Sequence, residues 1–199
     1  MLKSQRARTR GQSLVETAFL LPILLILLSG LIEFGFMLNQ YMTVLDAERN
    51  AARFAADGSY DHTDADTNCT TTRDFYRQTA CLVLQELNQE QPNITLNTTT
   101  DDIVISAFAV TSGGTVSARF PSGNGWSYYG NDNSTISDAT LASKLDVAAH
   151  NDGYVLVEVF YTYHQILRLP WITPFVPDPV LLHIYTVMPL ASVQPTPTP

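Results

Sequence analysis

A chain of 199 residues leaves room for one domain of modest core beside an anchor. Its formal net charge of −8 is unevenly spread: Lys3, Arg6, Arg8 and Arg10 occupy the first ten positions, and setting those four aside takes the charge of the rest to −12. So acidic a body argues against nucleic acid as a partner, because phosphate binding needs clustered cations to displace counterions.

The basic leader runs straight into RTRGQSLVETAFLLPILLILLSGLIEFGF, Arg8 to Phe36. From Ala18 to Ile32 the residues are apolar or small except Ser29, and the apolar character resumes from Phe34 to Leu38. Tolerating Glu33, the run is about 20 residues, the length that spans a bilayer. Cations before it and Asp46 and Glu48 after it predict a cytoplasmic N-terminus and an exported body. A cleaved secretory signal fits less well, since cutting after Ser29 or Gly30 would put Leu27 or Leu28 where a small residue is needed.

Two carboxylates and a proline interrupt the apolar run. Glu16 stands at its leading edge, where an acid costs less than the about 2.5–3.5 kcal/mol of a helix centre, and where a neighbouring positive group would offset it. Glu also complements the positive end of the helix dipole there. Pro22 would cost about 3 kcal/mol in a soluble helix but is better tolerated in a membrane. It reads equally as a kink that sets packing in an assembly or as one without a role. Glu33 lies about 25 Å further along than Glu16 at 1.5 Å per residue, so it either pairs across helices or snorkels to the outer interface, the second being slightly favoured.

These residues resemble a known family. GQSLVE followed by a long apolar helix is similar to the class III leader of type IV-pilin-like proteins. The wider stretch resembles the TadE-like family of minor pilins, or pseudopilins, of tight-adherence pilus systems, and TVLDAERNAARFAADG resembles that family's Ala-rich continuation at Ala51, Ala52 and Arg53. The resemblance covers Arg10 to about Gly58. It implies that a prepilin peptidase cuts between Gly11 and Gln12, and that the new amine of Gln12 pairs with Glu16 in the same or a neighbouring subunit. It also implies pilin and other minor pilin subunits as partners, and no chemistry by the protein itself. Gly11 suits such a protease because a residue without Cβ permits close approach.

Beyond the span, Tyr41, Val44, Leu45, Glu48 and Ala52 keep helical spacing, and Asp57-Gly58 stops the helix. A polar loop follows, Gly58 to Thr72, then a second helix from Arg73 to about Gln89. Cys69 and Cys81 are the only cysteines, and in an exported chain a disulfide between them is favoured over two thiols. Ile94–Thr98, Ile103–Thr111 and Thr115–Phe120 have β character, with Gly113-Gly114 as a turn. Pro121 to Ser137 is an exposed loop by composition. Gly153 to Tyr163 is the clearest strand, apolar on both faces and therefore central, and Val180 to Met188 is the last. Between them LPWITPFVPDP offers Trp171 and Phe175 either for docking or as cover for the sheet. The tail Gln194–Pro199 is extended and disordered by composition.

The expected fold is α+β. A leader over 1–11 precedes a transmembrane and stalk helix over 12–57, an extracytoplasmic head over 58–190 with one helix and a mostly antiparallel sheet, and a Pro/Thr tail over 191–199.

No enzyme motif accompanies this plan. Asp64, Asp66 and Asn68 alternate as in a calcium loop, but Cys69 stands where that loop needs glycine and Phe75 where it needs glutamate. His62, His150, His164 and His183 lack metal-ligand spacing. No cofactor, metal or catalytic residue is expected. The leading expectation is a membrane-bound minor pilin or pseudopilin, single-pass with its head outside, assembling with pilin subunits after prepilin processing. The alternative is a single-pass, membrane-anchored extracytoplasmic binding protein unrelated to pili.

Overall fold

The computed structural model describes residues 5–58, 60, 64–90, 94–111, 113–145, 153–174 and 176–190. Its elements in chain order are α1 (Gln5–Asp57), α2 (Phe75–Glu90), β1 (Asp102–Val110), β2 (Val116–Phe120), β3 (Trp126–Ser127), α3 (Asp138–Lys144), β4 (Gly153–Tyr163) and β5 (Val180–Pro189). This is the expected α+β arrangement, a long apolar helix followed by a small head. Two compact units divide it: Met1–Asn39 with Tyr163–Val180, and Gln40–Thr162 with Leu181–Pro199.

In the second unit the sheet runs β2-β1-β4-β5, with β3 paired to β1 off that path. β1 is antiparallel to β2, β3 and β4, and opposite β4 its register sets Ser106 against Leu156 and Phe108 against Tyr154. Apart from Tyr154 and Thr162, β4 is buried along its whole length, as the apolar sequence on both its faces requires of a central strand. On one face Phe108, Val110 and Leu156 form a core with Ile136 and Leu141. Leu141 comes from α3, a short helix not foreseen from sequence. Its start is nonetheless written there: Ser137 is the N-cap, its hydroxyl accepting from the amide of Thr140. Arg119 holds this corner, donating to the carbonyl of Ile136 and to the hydroxyl of Ser106 at 3.0 and 2.9 Å while lying over the Phe108 ring.

One expected strand is missing. Residues 94–98 do not join the sheet, because the chain folds on itself there: Asp101 accepts from the amide of Asn97, and the Asn97 side chain accepts from the amide of Thr99. Such local bonds compete with a ladder. Asp102, fully buried, gathers the loop after β3, accepting from the Ser127 hydroxyl and from the amides of Tyr129, Asn131 and Asp132.

The C-terminal part of α1 buries Val44, Ala47, Ala51, Ala52 and Ala55 within this unit, an i, i+3, i+4 stripe of mostly alanine that permits close packing. Glu48 shares the stripe and is fully buried. The Thr186 hydroxyl donates to one of its oxygens at 3.3 Å, and the other finds no hydrogen-bond donor among the described residues. Burial, opposed by the bonds to Thr186, pushes its carboxyl from the ordinary 4.5 up to about 8.

The folded protein therefore keeps Glu48 protonated up to about pH 8, whereas the unfolded chain loses that proton near 4.5. The contribution is complete below the lower value and is lost as pH rises to the upper one, with a slope of about 1.4 kcal/mol per pH unit. Glu48→Gln should abolish this decline. In denaturant titrations of the detergent-solubilised chain, the variant should match the parent near pH 5 and exceed it at pH 8; parallel pH dependence in the two proteins would contradict the assignment.

Candidate functional site

From Leu14 to Leu28 every side chain of α1 is exposed, with Leu14 at 73%, Phe19 at 74% and Leu27 at 70%. A helix apolar on all sides and covered on none has the length and composition of a membrane-spanning anchor, and it alone among the described residues does. The helix is continuous through Pro22.

Past this exposed stretch the first buried positions are Ser29 and Glu33, one turn apart and part of the first unit. Glu33 is only 3% exposed. Its Oε1 accepts from the Tyr163 hydroxyl at 2.5 Å and from the amide of Ile166 at 2.8 Å, and its Oε2 accepts from the amide of Leu167 at 2.9 Å. Tyr163 is the last residue of β4, and the two amides belong to the loop that leaves it. One turn before the carboxylate, the Trp171 indole N–H donates to Ser29 Oγ at 3.1 Å, while the serine hydroxyl donates to the carbonyl of Ile26 at 2.9 Å.

The loop is built to hold this position. The Gln165 amide donates to Asp178 Oδ1, which also lies 3.3 Å from His164 Nδ1, closing the base of the loop. The Gln165 side chain donates to the carbonyl of Val176 at 2.9 Å. The amides of Ile172 and Val176 turn back onto Leu169 and Ile172. Arg168 adopts a left-handed backbone, φ 46°, where the chain reverses after presenting its two amides to Glu33. With three donors on one buried carboxylate, the arrangement orders a loop against a helix.

The other residues singled out from sequence fall elsewhere. Gly11 and Gln12 lie within α1, which runs unbroken from Gln5. Glu16 is exposed on α1, about 25 Å before Glu33 at 1.5 Å per residue, so the two acids are not brought together. Cys69 and Cys81 form a disulfide that ties the polar loop to α2. Asp64, Asp66 and Asn68 spend their side chains on the amides of Asp66, Asn68 and Thr70, successive turns that order the loop. Among the described residues no trio of His, Cys, Asp or Glu is placed to hold a metal. His183 lies 3.0 Å from the buried Glu158, whose carboxyl is raised by burial but lowered overall by its bonds to His183 and Thr135. His62, His150 and Phe175 lie outside the described residues. Trp171 is bonded to Ser29. Sequence reasoning noticed Glu33 and Trp171 separately and missed Tyr163, Ile166 and Leu167 as partners, because some 130 residues separate them from the acid.

Compared with known proteins, residues 11–53 match the family model described as TadE-like protein. The matched segment begins at Gly11, covers the whole exposed apolar helix including Glu16 and Glu33, and ends in the alanine-rich stripe at Arg53. Over this segment the chain is similar to the TadE-like family. No curated protein and no solved structure matches the chain.

Glu33→Ala should leave the Ile166 and Leu167 amides without an acceptor, at about 1–3 kcal/mol for each buried donor. Amide exchange at those two positions should accelerate roughly tenfold or more, with β1 unaffected. Tyr163→Phe should cost about 1 kcal/mol and leave both amides protected; equal acceleration in the two variants would contradict the geometry.

Proposed function

We propose that this protein is a minor pilin or pseudopilin, a structural and assembly component of a tight-adherence pilus. The observation that carries the reading is the family match, which starts at Gly11 and extends over an apolar helix whose sides are uncovered within the chain. A helix in that state needs lipid or other helices around it, and a pilus subunit meets both, first in the membrane and then in a fibre.

In this reading the leader, 1–11, is removed on the cytoplasmic side by a prepilin peptidase acting between Gly11 and Gln12. The segment 12–57 is the membrane and stalk helix, 58–190 the exported head and 191–199 its tail. Cleavage converts the Gln12 nitrogen into a positive amine about one helical turn from Glu16. The exposed Glu16 carboxylate is then free to meet that amine on its own or a neighbouring subunit, which sets axial register during assembly. Pro22 leaves one carbonyl of the preceding turn without its amide, a local weakness at which the helix bends to fit its neighbours. Glu33, already engaged by its own chain, is less suited to pairing between subunits than Glu16. The work is structural rather than catalytic, and the partners are the membrane, the pilin and other minor subunits.

Intact-mass analysis of the protein from native membranes, with N-terminal sequencing, tests the processing: the mature chain should begin at Gln12, and a chain retaining Met1 would refute it. Glu16→Ala should insert and be cut normally yet fail to co-purify with assembled pilin; normal assembly of that variant would sink the proposed register role.

A further inference from the structure

The loop that binds Glu33 carries a consequence for the membrane. Leu14 to Glu33 is a rise of about 28 Å at 1.5 Å per residue, and Leu14 to Ser29 about 22 Å. A bilayer's hydrocarbon is about 30 Å thick. Exposed apolar surface does not stop at Glu33: Phe34 is 51% exposed, Phe36 39% and Leu38 44%. The acid therefore stands below the end of the lipid-facing surface, and the indole bonded to Ser29 stands deeper still. The loop attached to both reaches the same depth.

Its composition and bonding suit that depth. Between His164 and Asp178 the only charge is Arg168, which is exposed and able to turn toward lipid phosphates. Ile166 is 48% exposed and Trp171 42%, apolar surface that the chain itself leaves uncovered. Irregular backbone is tolerated at the membrane only when its polar groups are satisfied within the protein. Here Gln165, Ile166, Leu167, Ile172, Thr173 and Val176 donate their amides within the chain. Pro170, Pro174, Pro177 and Pro179 have none to satisfy. Trp at the boundary of a span, with one wet edge and one apolar face, is a common interfacial anchor.

We propose that the loop residues 165–174 and 176–179 form a second membrane contact, a wedge seated in the outer part of the lipid beside the helix and latched there by Glu33. The lipid surface is the occupant that continuity with the span supplies. The inference rests on the single membrane span and is independent of leader cleavage and of any pilus.

The test uses the full chain, reconstituted at high lipid excess in phosphatidylcholine vesicles with bromines at chosen depths along the acyl chain. The sequence holds two tryptophans, so Trp126→Phe leaves Trp171 as the sole reporter. Its emission should be blue-shifted, quenched severalfold more by bromines near the headgroup end than by bromines at the chain terminus, and resistant to aqueous acrylamide. Adding Glu33→Ala should cut the bromolipid quenching severalfold. Emission quenched by acrylamide and not by bromolipid would overturn the proposal, as would protection from both, the result expected if a second copy covers the loop. If the Trp126→Phe variant does not fold, fluorotryptophan in the parent sequence resolves the two indoles by 19F NMR. Broadening of the Trp171 resonance by a lipid-soluble but not a water-soluble paramagnet is then the expected result, and the reverse overturns the proposal.

Discussion

A carboxylate on an apolar helix must find donors, and the way Glu33 finds them organises the first unit. An ionised acid removed from water without partners is among the costliest groups a protein can carry. Three donors from far along the chain, a strand-end hydroxyl and two loop amides, meet that requirement here. The same bonds satisfy two loop amides that would otherwise need water. Each side solves the other's problem, so neither the acid nor the loop is explicable alone. Ser29 and Trp171, one turn away, repeat the device with a hydroxyl and an indole.

The second unit shows the opposite treatment of an acid. Glu48 is as deeply buried as Glu33 but is bonded only by Thr186, whose hydroxyl lies 3.3 Å away, and burial raises its carboxyl to about 8. Along one helix, then, two buried acids differ in how many donors reach them. Glu158 is a third case, where His183 and Thr135 outweigh burial. Asp102, with one hydroxyl and three loop amides, has the most donors of the four.

Local chemistry was the legible part of this chain. The apolar run, the Asp57 stop, the two-sided apolar strand at Gly153–Tyr163 and the Cys69–Cys81 pair all depend on neighbours in sequence or on composition, and the structure has each of them. Residues 94–98 misled because β-type residues say nothing of the Asn97 and Asp101 side chains that turn the backbone instead. The short helix after Ser137 was overlooked although its cap is visible, since seven residues carry little periodicity. At the site, Glu33 drew notice as a charge in an apolar run. Its partners could not, because a backbone amide has no letter of its own and Tyr163 looks like any strand residue. What a sequence conceals best is a bond between a side chain and distant main chain.

The Asp102 hub also bears on how freely the surface can change. Because one buried carboxylate collects the main-chain amides of Tyr129, Asn131 and Asp132, the course of that loop is set from beneath rather than by what its outward side chains touch. Main-chain bonds are indifferent to side-chain identity. The outward face of this loop is thus open to rapid divergence between strains, or to grafting of foreign epitopes, while the sheet under it stays unaltered.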